Sequence, residues 1–338
     1  MARKANLTSI PDVERGSPQE EARRLSRLIW LMTGAALVVA ISSAALARLR
    51  FAHASDFLVL CLESIGPVLA LRAYASWRGL DRRLALLMDI VATYFIIAFA
   101  LVVAQEAAAT VRAPDATALV ERVDGALGFH WFNYAYVVSA DAPLCRLFEI
   151  CYRGWIAEFV VAMAALVYYG RFKAIGEFTV AYMLTSFATV AIFACVDVRS
   201  LESVAAYGIP HLHHPSGAGP HYLEGVKALR SGLNRTLNFD RIQAFVSFPS
   251  LHGASALLLA AATRELKGWR YGFLAFNVLV LVSTLSEGGH DLTDVIAGAA
   301  LACASLAVST KLYAAISRRA LGARFAQSEQ VSAVAYSG

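Results

Sequence analysis

Charge is scarce in this chain. Charged residues make up 16% of its 338 positions, against about 25% in an ordinary soluble domain. The mean hydropathy is +0.55 and 58% of the residues are hydrophobic, so a water-soluble class is set aside and a membrane class is read instead. The net charge of +5 carries no polybasic block, which argues against nucleic acid as a partner. Cysteine is also sparse. Cys61, Cys195 and Cys303 lie in apolar runs, and Cys145 and Cys151 sit six apart in a connecting region as either one bridge or two free thiols. Five cysteines so placed exclude a disulfide scaffold. No short apolar core with a small-residue cleavage site opens the chain. Residues 1–27 are polar and read as a tail rather than a cleaved signal, as do 317–338. No internal repeat and no soluble insertion is visible.

Long uncharged stretches fill the remainder. Eight are near the roughly 20 residues a spanning helix needs: about 28–48, 57–76, 84–109, 154–170, 175–196, 246–263, 270–286 and 292–316. Uninterrupted apolar runs favour helices over alternating barrel strands. The expected fold is therefore an all-α polytopic membrane bundle of about eight transmembrane helices. Residues 28–109 form three N-terminal spans and 110–316 hold the other five. Two connections are long. Residues 110–153 contain "ALGFHWFNYAYVV", whose aromatics suit the membrane interface. Residues 197–245 contain a Pro/Gly/His loop, then an amphipathic helix and an extended lead into Phe248. Lys and Arg concentrate in the N-terminal tail, 72–83, 171–173, 264–270 and the C-terminal end. With eight spans all of these fall on one side, so both termini are expected in the cytoplasm and the two long loops outside. The inner membrane is the expected location.

That topology brings two distant motifs to the outer face. In "SFPSLHGAS", Ser247 is a plausible N-cap and Pro249 fits a first helical turn. The free N–H groups there suit an anion, with Ser250 beside it and His252 next in line. In "SEGGHDLTDVIAG", Gly288 and Gly289 permit close backbone approach to a ligand. His290 and Asp294 are four apart and share a helix face. A carboxylate on one imidazole nitrogen fixes the tautomer and leaves the other as nucleophile or base. Asp291 is the alternative helix cap. Two histidines in unlike environments suit opposite roles at one phosphorus, attack and proton donation. Lys227, Arg230 and Arg235 precede the first motif as candidate cations for the phosphoryl oxygens.

"FPSLH" at 248–252 and "GGHDLTDVIAG" at 288–298 resemble the second and third signatures of the type 2 phosphatidic acid phosphatase superfamily, PS-x-H and SR-x₅-H-x₃-D. Pro249, Ser250, His252, His290 and Asp294 match; Ser283 falls on the family's Ser, while Thr284 stands where its Arg belongs. The upstream K-x₆-RP signature is absent, since Lys227 has Asn234 at the Arg position and Arg235 comes one residue late. The GG-H-x₃-D-V-x-A-G form and the "LRSG…FVSFPSLH" lead-in are most similar to the branch that includes fungal inositol phosphorylceramide synthase. The resemblance implies that 110–316 is the catalytic membrane domain. It implies His290 as nucleophile, Asp294 as its orienting partner and His252 as general acid. Arg230 becomes the preferred phosphate ligand, with Ser250, Lys227, Arg235 and Gly289 beside it. No metal and no cofactor is needed. The implied substrate is a phospholipid or lipid phosphate, with an alcohol headgroup as a possible acceptor.

Other polar features have alternative readings. His211, His213, His214 and His221 form a surface loop or a cover over the headgroup pocket, since H-L-H-H is not a zinc spacing. Glu63 and Asp89 interrupt apolar spans; each pairs internally, for instance with Arg72 or Arg112, or serves a function. In the second case a transporter with a proton or cation path is the competing class, though the repeat typical of transporters is missing. Trp131, Phe132, Tyr134 and Tyr136 are an interfacial anchor or a headgroup cage.

Overall fold

The computed structural model describes residues 17–335 apart from 53, 200–207, 210–211, 214–219, 233–234 and 238–244, with side chains described up to 315 except at 54, 57 and 220–223. Eleven helices run through these residues: α1 (Pro18–Ala47), α2 (Ala54–Trp77), α3 (Arg82–Ala109), α4 (Thr117–Ala126), α5 (Trp131–Ser139), α6 (Ala142–Tyr168), α7 (Phe172–Cys195), α8 (Pro220–Ser231), α9 (Leu251–Thr263), α10 (Arg270–Glu287) and α11 (Leu292–Ala335). The fold is an all-α polytopic bundle. Two-residue strands β1 (Arg50–Phe51) and β2 (Thr236–Leu237) pair in parallel and tie the end of α1 to the lead into Phe248.

Each of the eight apolar stretches falls on a helix. Six helices have both the length and the hydropathy to cross a membrane: α1, α2 from Leu58, α3, α6, α7 and α11 to Ala315. The other two are shorter. α9 has 13 residues, a rise of only about 20 Å, and α10 has 18. Helix ends also differ from the expected boundaries. α1 starts at Pro18, with proline in the first turn, so the stretch read as an N-terminal tail is already helical there. α11 likewise runs on into the stretch read as a C-terminal tail. α6 begins twelve residues early because Arg146, Glu149 and Arg153 pair along one helix face, which lets a charged turn continue a spanning helix.

α1 lies along α3 through a stripe of buried residues, Ala22, Leu25, Ile29, Thr33, Ala36, Ala40 and Ala44. Small side chains at that spacing let two backbones approach closely. Tyr94, Phe159, Phe178 and Tyr182 stack where α3, α6 and α7 meet. α9 stands among α6, α7, α10 and α11. Its Ala254, Ala256, Leu258, Leu259 and Ala262 are all buried, the pattern of a helix apolar on every side.

The intramembrane acids separate. Asp89 is buried and accepts from Ser26 Oγ (2.6 Å), Trp30 Nε1 (3.0 Å) and Arg72 Nε (2.7 Å), so it pairs internally with Arg72. Glu63 is exposed on α2. All five cysteines are free thiols.

Candidate active site

Ser250 rather than Ser247 caps α9. Its Oγ accepts from Gly253 N at 3.2 Å, which starts the helix at Leu251 and places His252 in its first turn. The peptide between Phe248 and Pro249 is cis. Ser247, expected as the cap, instead donates its hydroxyl to Asp294 Oδ2 at 3.3 Å. The Ser250 side chain is fully buried, so at this position the structure gives a helix fastening rather than an open phosphate ligand.

The second motif closes onto the first. Ser250 N donates to the carbonyl of Asp294 at 3.0 Å. Gly298 lies one turn further along α11, where an added Cβ would stand 2.2 Å from the Ser250 carbonyl oxygen; only a glycine permits that approach. Between α10 and α11 the chain turns through Gly289, whose φ is +62°, a region glycine occupies without strain. His290 N reaches back to Thr284 O at 3.3 Å. This junction places the His290 imidazole beside the first turn of α9, against the Ser247 backbone. His252 and His290 stand close enough that the charge on one is felt at the other. Burial pushes the His290 imidazole down to about 4 against a weaker opposing pull from the Ser247 carbonyl, so the ring is neutral at neutral pH.

Asp294 faces that ring with Oδ2 3.5 Å from His290 Nδ1, longer than a hydrogen bond. The same oxygen accepts from Ser247 Oγ and from Asp291 N at 3.1 Å. His290 Nδ1 and Asp294 Oδ1 are both buried without a hydrogen-bond partner, a donor site and an acceptor side by side. His252 is held from α6: Tyr152 stacks on it at 4.6 Å between ring centroids, and Trp155 meets it edge-on at 6.0 Å.

Two histidines and a carboxylate thus gather as a candidate site at one end of a helical membrane bundle, and a wider comparison fits it. The family description that matches the chain, over residues 118–308 and hence more than half its length, is the PAP2 superfamily. The chain belongs to the PAP2 superfamily. Membership supports a function of phosphatase or phosphotransferase type in a multi-pass membrane protein. No curated protein and no solved structure matches the chain. The PAP2 match takes in the site and leaves out α1 to α3.

The candidate cations of this PAP2 protein are less gathered than the histidines. Arg230 Nη1 is bound to the fully buried Asp197, a carboxylate that also takes Arg199 Nε at 3.0 Å. Arg230 Nε and Nη2 remain buried without partners. Arg235 is spent on the Ala47 carbonyl at the end of α1, and Lys227 is exposed on α8. Among the described residues none of the three hydrogen-bonds to Ser250, His252 or His290. Thr284, at the place of the family's Arg, is fully buried and turned back onto Leu281 O.

Sequence reasoning missed the residues that hold the PAP2 site from a distance. Asp124 on α4 accepts from Leu292 N (2.9 Å), Thr293 N (2.8 Å) and the Thr293 hydroxyl. It caps α11 from another element, and its charge lies near Asp294. Trp131 Nε1 and Tyr134 Oη donate to the Leu285 and Val282 carbonyls at 2.8 and 3.0 Å, fastening α5 to the end of α10. Tyr136 is 71% exposed, as an interfacial anchor would be. Losing the α11 cap is expected to destabilise the fold by about 0.5–2 kcal/mol. Asp124→Ala should therefore lower kcat more than it raises KM, since it shifts His290 and Asp294 without touching substrate.

The His loop also reaches this region. His211, His214 and the side chain of His221 lie outside the described residues. Leu212 is buried against Trp131 and Ala135, and His213 N donates to Ser139 Oγ at 2.8 Å. His213 Nε2 is 2.6 Å from the buried Glu287 Oε1. The Glu287 carboxylate at that distance raises the His213 pKa against an opposing push from burial, with the charge of Glu149 adding to the rise. A raised histidine stabilises the fold fully below its ordinary pKa of about 6.5 and loses that contribution as pH climbs through the raised value. His213→Gln is thus expected to lower the melting temperature at about pH 6, with the gap to wild type closing as pH rises above the raised pKa.

Proposed function

We propose that this PAP2 protein is a lipid phosphotransferase or phosphatase that works through a phosphohistidine at His290, with chemistry like that of the inositolphosphotransferase branch. The observation that carries the proposal is the closure of the α10–α11 junction onto the start of α9, with Ser250 N on the Asp294 carbonyl and the Asp294 carboxylate 3.5 Å from His290 Nδ1, which brings His252 and His290 within electrostatic reach of each other. His290, neutral through burial, attacks phosphorus; an N–P bond forms as the P–O bond to the lipid alcohol breaks. His252 takes up a proton as the negatively charged phosphate enters beside it, since a nearby anion favours the imidazolium, and gives that proton to the leaving oxygen. A small rotation of the His290 ring and the Asp294 carboxylate, with the ring proton moved to Nδ1, pairs Nδ1–H with the idle carboxylate oxygen and releases Nε2 from the Ser247 carbonyl to attack. In the second half-reaction His252 takes a proton from water or an alcohol headgroup, whose oxygen displaces His290. The two unpartnered nitrogens of Arg230 and the backbone around Gly289 are the proposed holders of the phosphoryl oxygens. The site faces the outer, periplasmic side of the inner membrane, with both termini in the cytoplasm.

The arrangement of the acids weighs against a transport path, because Asp89 is fully committed to Ser26, Trp30 and Arg72. The test is incubation of purified protein with labelled phospholipids, with and without inositol or ceramide, followed by product analysis. Free phosphate from a lipid phosphate, or a released headgroup phosphate from a phosphodiester lipid, indicates hydrolysis, and a new phosphodiester indicates transfer. Unchanged lipid in every mixture overturns the proposal.

A further inference from the structure

A second polar cavity opens at the other end of the bundle, outside the PAP2 match. It has a volume of about 680 Å³ and is lined from three helices, with Arg23 and Arg27 from α1, Arg72 from α2, Arg82 from α3, and the carboxylates Asp81 and Asp89. Its distance from the histidines follows from α6. Arg83, at the start of α3, donates to Tyr168 O at the end of α6. Tyr168 is about 24 Å along that helix from Tyr152, the ring stacked on His252.

The two acids do not neutralise the four arginines. Asp89 is taken up by Ser26, Trp30 and Arg72. Asp81 is the N-cap of α3, accepting from Arg83 N at 2.9 Å. Arg72 is fixed through Nε alone, and its side chain is 39% exposed. Arg23, Arg27 and Arg82 have no ion pair among the described residues. Arg23 and Arg27 are four apart on one face of α1, opposite the start of α3. An excess of positive charge at the ends of spanning helices is ordinary topology. Four arginines from three helices lining one cavity of ligand size go further, because the guanidinium fork is suited to phosphate oxygens.

We propose that this cavity binds a phosphate-bearing anion, an anionic lipid headgroup or a soluble phosphate, at a site separate from the histidines. Basic pockets between membrane helices bind anionic headgroups by this chemistry. The proposal does not depend on the reading of the active site.

The test uses the full chain carrying His290→Ala, so that no turnover consumes the lipid, and native mass spectrometry from nanodiscs of phosphatidylcholine with or without phosphatidylglycerol. Retained phosphatidylglycerol supports the lipid source. Inorganic phosphate that binds in pure phosphatidylcholine discs and depends on the same arginines supports the soluble source. In either arm Arg23→Gln, Arg27→Gln and Arg82→Gln together should weaken binding about a hundredfold. The matching Arg→Lys variant should recover much of it, which separates lost charge from lost fold. Equal retention of anion by the wild-type and glutamine versions of this cavity, or no retention of either probe, overturns the proposal.

Discussion

His290→Ala is expected to remove turnover entirely, because among the described residues no other group is placed to attack phosphorus from its position. His252→Ala should lower kcat by about 10²–10⁴, the usual worth of a positioned acid–base group. Both variants should insert, purify and unfold like wild type. Neither ring carries a helix cap; those duties fall to Ser250 for α9 and Asp124 for α11. Product formation from labelled phospholipid, measured beside thermal unfolding of each purified variant, checks both parts. Undiminished turnover in both variants would remove the catalytic reading. A collapse of thermal stability in either would show that the rings hold the fold together instead.

The other large effect comes from a residue with no side chain. At Gly298 a Cβ would fall 2.2 Å from the Ser250 carbonyl oxygen and 3.1 Å from its carbon. These are backbone atoms at the start of α9 and have no rotamer by which to yield. Gly298→Ala must therefore separate α11 from α9, and with them His290 from His252. Overpacking of this kind costs about 1–3 kcal/mol, and a displacement of roughly 1 Å at reacting groups loses about 10²-fold in rate. Gly253→Ala is the natural control. Its Cβ would meet a side-chain methyl, Val295 Cγ1, at 3.3 Å and the Ser250 side chain at 3.5 Å, contacts that a small shift relieves. Turnover falling at least tenfold further in Gly298→Ala than in Gly253→Ala is the expected result; equal losses would mean that this backbone approach does not set the site.

The same contact helps explain what could be read from the chain alone. Apolar length is a local property, so the helices behind all eight stretches were legible, as was the amphipathic α8; of the extended lead into Phe248 most lies outside the described residues, apart from β2. His252, His290 and Asp294 stood out because an ionisable group at the mouth of an apolar run needs a reason. Partnerships across the chain leave no such trace. Nothing near Asp124 announces that it caps a helix 168 residues later, and Tyr152 and Trp155 read as part of a connection and a span rather than as the walls around His252. That Asp197, in another element, already takes one nitrogen of Arg230 leaves no trace near Arg230 in the sequence either. The capping serine is a finer miss, since Ser250 takes the cap expected of Ser247 and Ser247 turns to Asp294 instead. Both serines precede the helix, and which one caps it is decided by backbone angles on either side of Pro249. The early start of α6 was hidden by its charges, which look like a connection until Arg146, Glu149 and Arg153 are seen to satisfy one another.

The central claim is that a covalent bond forms between phosphorus and His290. Protein incubated with phospholipid labelled at phosphorus, quenched in alkali to preserve a phosphoramidate and digested, should carry the label on the peptide containing His290. The label should be missing from His290→Ala. Label of equal intensity on His290→Ala, or label mapped to His252 or to any serine in its place, would contradict the account.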